Sequence, residues 1–148
     1  MNDVSKTRPA PGAPMATHRQ AIRVYFEDTD AAGIVYYANY LKFAERARTD
    51  MLRDLGVSHA EMMTRDGLVL VVRRCEIDYL KPAKLDDLLT IETEAAKLGG
   101  ASVDLRQRVL RDNEVLAELK VLVVCIGQDG RPARIPDYVR GALPRTNV

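Results

Sequence analysis

The stretch that decides the fold is Glu27–Arg48, which reads EDTDAAGIVYYANYLKFAERAR. Every second residue from Ile22 to Phe26 is apolar, the pattern of a half-buried strand that leads into this stretch. In its second half and beyond, apolar residues recur at helical spacing, namely Tyr40, Phe43, Ala44, Ala47, Met51 and Leu55. Gly56 follows where a glycine often ends a helix. The stretch therefore predicts a strand, an acidic loop and a long helix.

The acidic loop carries two carboxylates, Asp28 and Asp30, followed by Gly33. Gly33 permits a backbone turn that a residue with a β-carbon would resist. A strand that enters a helix through such a loop brings an acid close to the free N–H groups of the first helical turn. Those groups and the helix dipole favour negative charge, including charge that develops during acyl transfer. Loop aspartates also commonly cap turns, and the residues alone leave both interpretations open.

The run from Asp28 to Tyr40, DTDAAGIVYYANY, resembles the signature of hotdog-fold acyl-CoA thioesterases. Within them it is similar to the 4-hydroxybenzoyl-CoA thioesterase type and to relatives associated with the Tol–Pal cell-envelope system. The likeness extends over roughly Arg19 to Leu143. It includes the ERAR sequence that ends at Arg48.

The resemblance implies roles for the loop residues. Asp30 occupies the position of the second acid, which acts on the thioester as a nucleophile or as a base that activates water. Asp28 is expected to be structural and bonded to loop amides. At Tyr37 the backbone N–H would polarise the thioester carbonyl. Many Tol–Pal-associated relatives carry histidine there, so the role of the Tyr37 ring stays open between catalysis and packing at a protomer interface. Tyr36 and Tyr40 are expected in the core.

Coenzyme A carries phosphates, which basic side chains and exposed amides bind. The segment that contains Lys97, Gly100 and Ser102 matches a region that holds coenzyme A in the resembled enzymes. Two glycines between strands also fit a simple hairpin turn. Val72 and Arg73 are candidates for lining an acyl tunnel, or for ordinary strand packing.

The rest of the chain predicts one helix turn, four strands and a terminal helix. The S-x-x-E spacing of Ser58 to Glu61 is that of a capping box and predicts a short second helix to about Arg65. The apolar run Leu68–Val72 is typical of a central strand. Further strands are predicted around Leu89 to Glu94, Val103 to Val109 and Val115 to Ile126, before a short helix at Pro136-Asp137. Short connections favour antiparallel neighbours, so the pattern predicts an α+β domain. The resemblance specifies a hotdog fold, a curled five-stranded antiparallel sheet around one long helix.

Composition indicates an ordinary globular domain of 148 residues with 47% hydrophobic and 29% charged residues. The net charge of +1 does not suggest nucleic-acid binding. No apolar run approaches the ~20 residues that span a bilayer, and the first residues lack the apolar core of a secretory signal, so the cytoplasm is the expected location. Residues 1–17 are rich in proline and are predicted to be a disordered tail before a single domain, 18–148.

Cysteines and histidines are few. Cys75 and Cys125 share strand parity with apolar residues and are expected to be buried. The chain has no CxxC motif and only two histidines, so a metal site is not expected. His18 is predicted at the edge of the tail, and His59 follows an N-cap. No cofactor is expected, since coenzyme A is part of the substrate. The charged residues Glu45, Arg46 and Arg48 are expected on a solvated helix face or in inter-subunit ion pairs.

The leading functional hypothesis is therefore an acyl-CoA thioesterase. A hydratase or dehydratase of acyl thioesters is an alternative, but such enzymes commonly use a histidine, which the signature lacks. A non-catalytic scaffold in a lipid-synthesis or cell-envelope complex is the other alternative. The resemblance implies homodimers or homotetramers with active sites at the protomer interface. Whether an acyl carrier protein replaces coenzyme A, and which acyl chain is preferred, stays open at this stage.

Overall fold

The computed structural model describes residues 17–145. Its strands are β1 His18–Arg23, β2 Val69–Tyr79, β3 Leu88–Leu98, β4 Ser102–Arg111 and β5 Glu114–Ile126. Its helices are α1 Asn39–Asp54, α2 His59–Glu61, which continues as a π-helical turn over Met62–Asp66, and α3 Asp137–Arg140. The predicted α+β architecture is confirmed: one curled five-stranded antiparallel sheet with one long helix against it. The predicted tail lies outside the described residues except for Thr17, which donates a hydrogen bond to Glu94.

Helix α1 follows the apolar periodicity of the sequence. Its buried residues are Tyr40, Phe43, Ala44, Ala47, Met51 and Leu52. Gly56 adopts a φ of +83°, which an L-residue with a side chain rarely adopts, and so ends the helix as predicted. Phe43 and the strand residues Leu89 and Leu119 are almost completely buried, so the core lies between α1 and the inner face of the sheet.

The strand order is β1-β3-β4-β5-β2. The three strands β3, β4 and β5 form a meander, and β1 and β2 add to its two sides. The prediction that Leu68–Val72 belongs to a central strand is therefore wrong for the protomer, because β2 is an edge strand. A continuous apolar run indicates that both faces of a strand avoid water, but it does not say what covers them.

The inner face of β2 is largely uncovered. Residues opposite each other on paired strands share a face of the sheet, so Val72, Cys75 and Tyr79 face the same way as Val123, Val121 and Ala117 of β5. The β5 residues are buried, whereas the β2 residues are exposed. The expectation that Cys75 is buried is wrong for this reason, while Cys125 is buried as expected. A bulge at Arg73 keeps Val72 and Cys75 on one face.

The strand before the acidic loop ends earlier than predicted. The side chain of Asp28 accepts a hydrogen bond from the N–H of Tyr25, and Phe26–Asp28 turn into a 3₁₀ helix. Phe26 is 81% exposed as a result. The alternating pattern therefore predicted too long a strand β1. The carboxylate of Asp28 offers the backbone N–H of Tyr25 a hydrogen-bond acceptor other than a neighbouring strand.

His18 directly follows the predicted tail as the first residue of β1, and it is buried, with its Nε2 2.8 Å from Oδ2 of Asp54 at the end of α1. One further expectation is wrong. Tyr36 is exposed rather than part of the core, because it precedes α1 and its ring lies against the ring of Tyr37. Tyr40 is buried as expected.

Candidate active site

Asp28 organises the acidic loop from within. Besides the bond from Tyr25, its backbone carbonyl accepts hydrogen bonds from the N–H of Tyr36 at 3.0 Å and from Nδ2 of Asn39 at 2.8 Å. These contacts tie the loop to the start of α1. The expected structural role of Asp28 agrees with this geometry.

Asp30 lies at the tip of the loop and is exposed. Its N–H donates to the carbonyl of Ile34, and its carbonyl accepts from the N–H of Gly33, which has a φ of +78°. Its Oδ1 accepts a 2.8 Å hydrogen bond from the N–H of Ala32. No bond joins this carboxylate to the first turn of α1 within residues 17–145, so Oδ2 is free to meet a substrate or a water molecule.

Tyr37 precedes α1 and leaves its amide available. Its N–H has no acceptor among the described residues, while its carbonyl accepts bonds from the N–H of Tyr40 and the hydroxyl of Tyr79. Unsatisfied N–H groups at a helix start carry partial positive charge and bind developing anions. The ring of Tyr37 is 61% exposed, with its centroid 5.0 Å from that of Tyr36.

Tyr79 was missed as a site residue by sequence reasoning. Its hydroxyl donates a 3.0 Å hydrogen bond to the carbonyl of Tyr37, and its ring packs edge-on against the rings of Tyr37 and Tyr40. Burial raises the pKa of the Tyr79 phenol, and the neighbouring Tyr37 adds to the shift. The available signal was its place on the inner face of β2, which the alternation pattern already indicated.

A pocket of about 310 Å³ lies between α1, the start of β2 and the C-terminal segment. Its lining is mainly apolar and includes Leu52, Val72, Val103, Val123 and Ile135. Val72 therefore lies where an acyl chain could be held. Arg73, the bulge residue of β2, is exposed and does not line this pocket.

One lining residue is cationic. Arg48 is half-buried, contrary to the expected solvated face, and its Nη1 donates a 2.9 Å hydrogen bond to Oε1 of Gln107. Gln107 is fully buried, and its Nε2 donates to the carbonyl of Ala44 and to Oγ1 of Thr93. A lone glutamine in an alternating strand gave no sequence signal for this network.

Lys97, Gly100 and Ser102 lie around the β3–β4 turn. The turn is closed by the N–H of Gly99, which donates to the carbonyl of Ser102. A β-carbon at Gly100 would meet nothing within 4 Å, so that side of the turn is open. The loop of Asp30 lies at the other end of β3, since Val24 bonds to Asp87 there. The length of β3 separates the two regions by roughly 30 Å, so one protomer does not bring them together.

Three comparisons with known proteins identify the family of this chain. The profile of the Thioesterase-like superfamily matches residues 24–143. The chain belongs to this superfamily. A curated relative, the acyl-CoA thioesterase YbgC of Haemophilus influenzae, is 43% identical over 123 residues, which cover 82% of this chain and 90% of the relative. The acyl-CoA thioester hydrolase YbgC of Escherichia coli O6:H1 is 46% identical over 109 residues, which cover 73% of this chain and 81% of the relative.

A solved structure agrees with these relatives. The probable thioesterase from Bartonella henselae is 40% identical and superimposes with a TM-score of 0.77. The match covers 82% of this chain and 100% of the Bartonella chain. The family resemblance drawn from the signature is thus confirmed, and the fold is that of a thioesterase of this superfamily. Within residues 17–145 no group of three His, Cys, Asp or Glu side chains is placed to hold a metal ion, and no helix there is long and apolar enough to cross a bilayer.

Proposed function

We propose that the chain hydrolyses acyl-CoA thioesters to a free acid and coenzyme A. The observation that carries the proposal is the unpaired N–H of Tyr37 on the same short loop as the exposed carboxylate of Asp30. Membership of the superfamily and the names of the curated relatives support the same activity.

In the proposed reaction the N–H of Tyr37 donates a hydrogen bond to the thioester oxygen and stabilises the negative charge that forms there. The carboxylate of Asp30 either attacks the carbonyl carbon or takes a proton from an attacking water molecule. The carbon–sulfur bond then breaks, the sulfur leaves with the pair of electrons and is protonated, and the acid is released. Attack through Asp30 gives a mixed anhydride that water hydrolyses. These steps call for no cofactor beyond the coenzyme A of the substrate.

We also propose that two or four copies assemble and that each site uses residues of two copies. The free edge of β2 supports assembly, because exposed apolar edge strands pair readily. The separation of Lys97, Gly100 and Ser102 from Asp30 supports a coenzyme A site completed by the second copy. A stable monomer in sedimentation at micromolar concentration would contradict the assembly. An acyl carrier protein as the thiol donor and a cytoplasmic location remain predictions from the sequence.

The test of the chemistry is Asp30→Asn, measured by release of free thiol from short, long and aromatic acyl-CoAs. Asparagine keeps the size of the side chain but cannot act as nucleophile or base, so we expect kcat to fall about 100-fold or more. Asp129→Asn is the matched control, because Asp129 also sits in an exposed loop and accepts a hydrogen bond from the N–H two residues later. Near-normal turnover of Asp30→Asn would remove this residue from the mechanism.

Tyr37→Phe separates the amide from the phenol. The substitution keeps the N–H in place, so we expect a loss of less than about tenfold in kcat. Collapse of activity in a folded Tyr37→Phe enzyme would place the hydroxyl, not the amide, at the reacting carbonyl. If the wild-type protein releases thiol from none of the short, long and aromatic acyl-CoAs, the result would favour a non-catalytic scaffold.

A further inference from the structure

The space between α1 and the exposed inner face of β2 is named the groove here, and the pocket with Val72 is part of it. Leu41, Glu45 and Arg48 follow one another at helical spacing on this side of α1. The exposed inner face of β2 forms the opposite wall, and Cys75 lies close enough to Arg48 for their charges to interact. Tyr79 stands at one end of the groove beside Tyr37, and the pocket with Val72 forms the other end. The exposed face of β2, from Tyr79 through Cys75 to Val72, therefore connects the proposed reaction centre with the pocket that holds Arg48.

Arg48 is held in a fixed orientation before any ligand arrives. Its partner Gln107 uses its carbonyl oxygen for Arg48 and both N–H groups for Ala44 and Thr93. All hydrogen-bonding groups of the glutamine amide are thus engaged, and it lies at 0% exposure. Such a network costs stability when any member is unsatisfied, and it fixes the guanidinium when all are satisfied.

The charge of Arg48 is not neutralised within the described part of the chain. Burial lowers the pKa of its guanidinium, and Glu45 one turn earlier opposes that shift without coming into ion-pair distance. By contrast Arg19, Arg108 and Arg111 each contact a carboxylate directly. Glu45 also lines this pocket, but a partly buried guanidinium without a direct carboxylate contact is unfavourable unless an anion joins it.

We propose that Arg48 binds a carboxylate at the far end of the acyl group, so that the enzyme prefers acyl-CoAs whose acyl chain ends in a second carboxylate. This inference rests on the proposed thioesterase activity and assigns its substrate class. The planar guanidinium suits a carboxylate, because its N–H donors match the two oxygens. The apolar lining around it suits the methylene chain between the thioester and that carboxylate.

The position of Arg48 also sets a chain length. It lies about 14 Å along α1 from the start of the helix at Asn39, just after Tyr37, at a rise of ~1.5 Å per residue. An extended chain of about ten to twelve carbons spans this distance along the helix. Short diacids would leave the carboxylate in the middle of the groove, away from the guanidinium.

The test compares matched substrate pairs in a free-thiol assay on the wild-type enzyme. The pairs are butyryl- and succinyl-CoA, octanoyl- and octanedioyl-CoA, and dodecanoyl- and dodecanedioyl-CoA. We expect kcat/KM for dodecanedioyl-CoA to exceed that for dodecanoyl-CoA by about tenfold or more, the effect of a charged hydrogen-bonded pair. Turnover without a preference for the diacid at any length overturns this inference and leaves the proposed function standing. No turnover of any substrate overturns both.

Variants identify the residue responsible. Arg48→Gln should remove the difference in kcat/KM between dodecanedioyl- and dodecanoyl-CoA, and Arg46→Gln, at an exposed arginine on the same helix, should retain that difference. An equal loss on both members of every pair would assign Arg48 to the coenzyme A moiety and overturn the proposal. If the Arg48→Gln variant sediments as a monomer while the wild-type protein is an oligomer, the carboxylate partner of Arg48 lies on a second copy. That result would also overturn the proposal.

Discussion

Strands β5 and β2 lie side by side, with apolar residues facing the same way, and their surroundings differ completely. Val121 of β5 is 1% exposed, whereas Val72 of β2, on the same face, is 47% exposed. The difference does not come from residue type, because both positions hold valine. It comes from position in the sheet, because β5 lies between two strands and is covered by the core of the chain, whereas β2 is the edge strand.

The comparison shows that a strand can carry an apolar face that no part of its own protomer covers. On β5 the apolar face is covered by the core of the same chain. On β2 the equivalent face borders the groove proposed for the acyl chain, and its free edge is the surface proposed for self-association. Each of the following measurements tests whether the two strands differ in the native protein as they do in one protomer.

The largest expected difference is in cysteine reactivity. Cys75 on β2 is exposed and Cys125 on β5 is buried, so a thiol reagent should modify Cys75 about 1000-fold faster, since Cys125 reacts only when the sheet opens. Burial raises the pKa of both thiols, and for Cys75 the nearby Arg48 opposes the rise. Mass spectrometry of Cys75→Ser and Cys125→Ser variants gives the two rates separately. Equal slow rates would mean that another copy covers β2.

A matched truncation tests the same contrast in stability. Val121→Ala leaves a cavity in the core and should lower the free energy of unfolding by about 2 kcal/mol. Val72→Ala removes the same atoms from an exposed site and should cost less than about 0.5 kcal/mol. Urea unfolding at one fixed protein concentration measures both. A loss for Val72→Ala as large as that for Val121→Ala would contradict the exposure of this face.

The smallest effect concerns the connection between β2 and β3, which ion pairs join to β4 and β5. Arg111 of β4 contacts Asp87 after β2 and Glu114 of β5, and Lys81 contacts Glu114 as well. Burial tends to raise the pKa of Asp87, but the hydrogen bonds from the N–H of Lys84 and from Arg111 outweigh it, so the pKa is lowered. The stabilisation is therefore complete above the pKa of an unfolded aspartate, about 3.9, and is lost as the pH falls through the lower folded value.

Asp87→Asn checks this direction. The variant should melt a few degrees below the wild-type protein at pH 7, and the gap should close as the pH falls well below the pKa of an unfolded aspartate, about 3.9. Thermal melts monitored by circular dichroism at both pH values are sufficient. A gap that stays constant with pH would show that the charge of Asp87 does not stabilise the folded state.

The sequence predicted the local elements better than their environment. The periodicity of α1, its end at Gly56 and the capping of α2 by Ser58 are properties of neighbouring residues, and all three are found. The exposure of Cys75 and Tyr36 depends on where α1 lies relative to β2, which no local pattern encodes. The alternation pattern correctly placed Cys75 on the inner face and wrongly assumed that this face is covered.

The candidate site divides in the same way. The signature located the acidic loop and the helix start, because these are contiguous in the chain. Tyr79 and the Arg48–Gln107 pair join that region only through the register of β2 and β4, across 42 and 59 residues of sequence. The alternation pattern indicated the face on which Tyr79 lies, but its contact with Tyr37 and the Arg48–Gln107 contact follow from strand pairing, which a single sequence does not encode.

The strand order has a consequence for biosynthesis. The apolar run Leu68–Val72 leaves the ribosome well before its neighbour β5, which ends at Ile126. At typical elongation rates the delay is roughly 3 to 10 seconds. During that time β2 has no strand to pair with, while the meander of β3, β4 and β5 can form as soon as each turn is made. The nascent chain therefore exposes this apolar segment before its partner strand has been synthesised. A chaperone that shields residues 68–72 would act at this stage of synthesis.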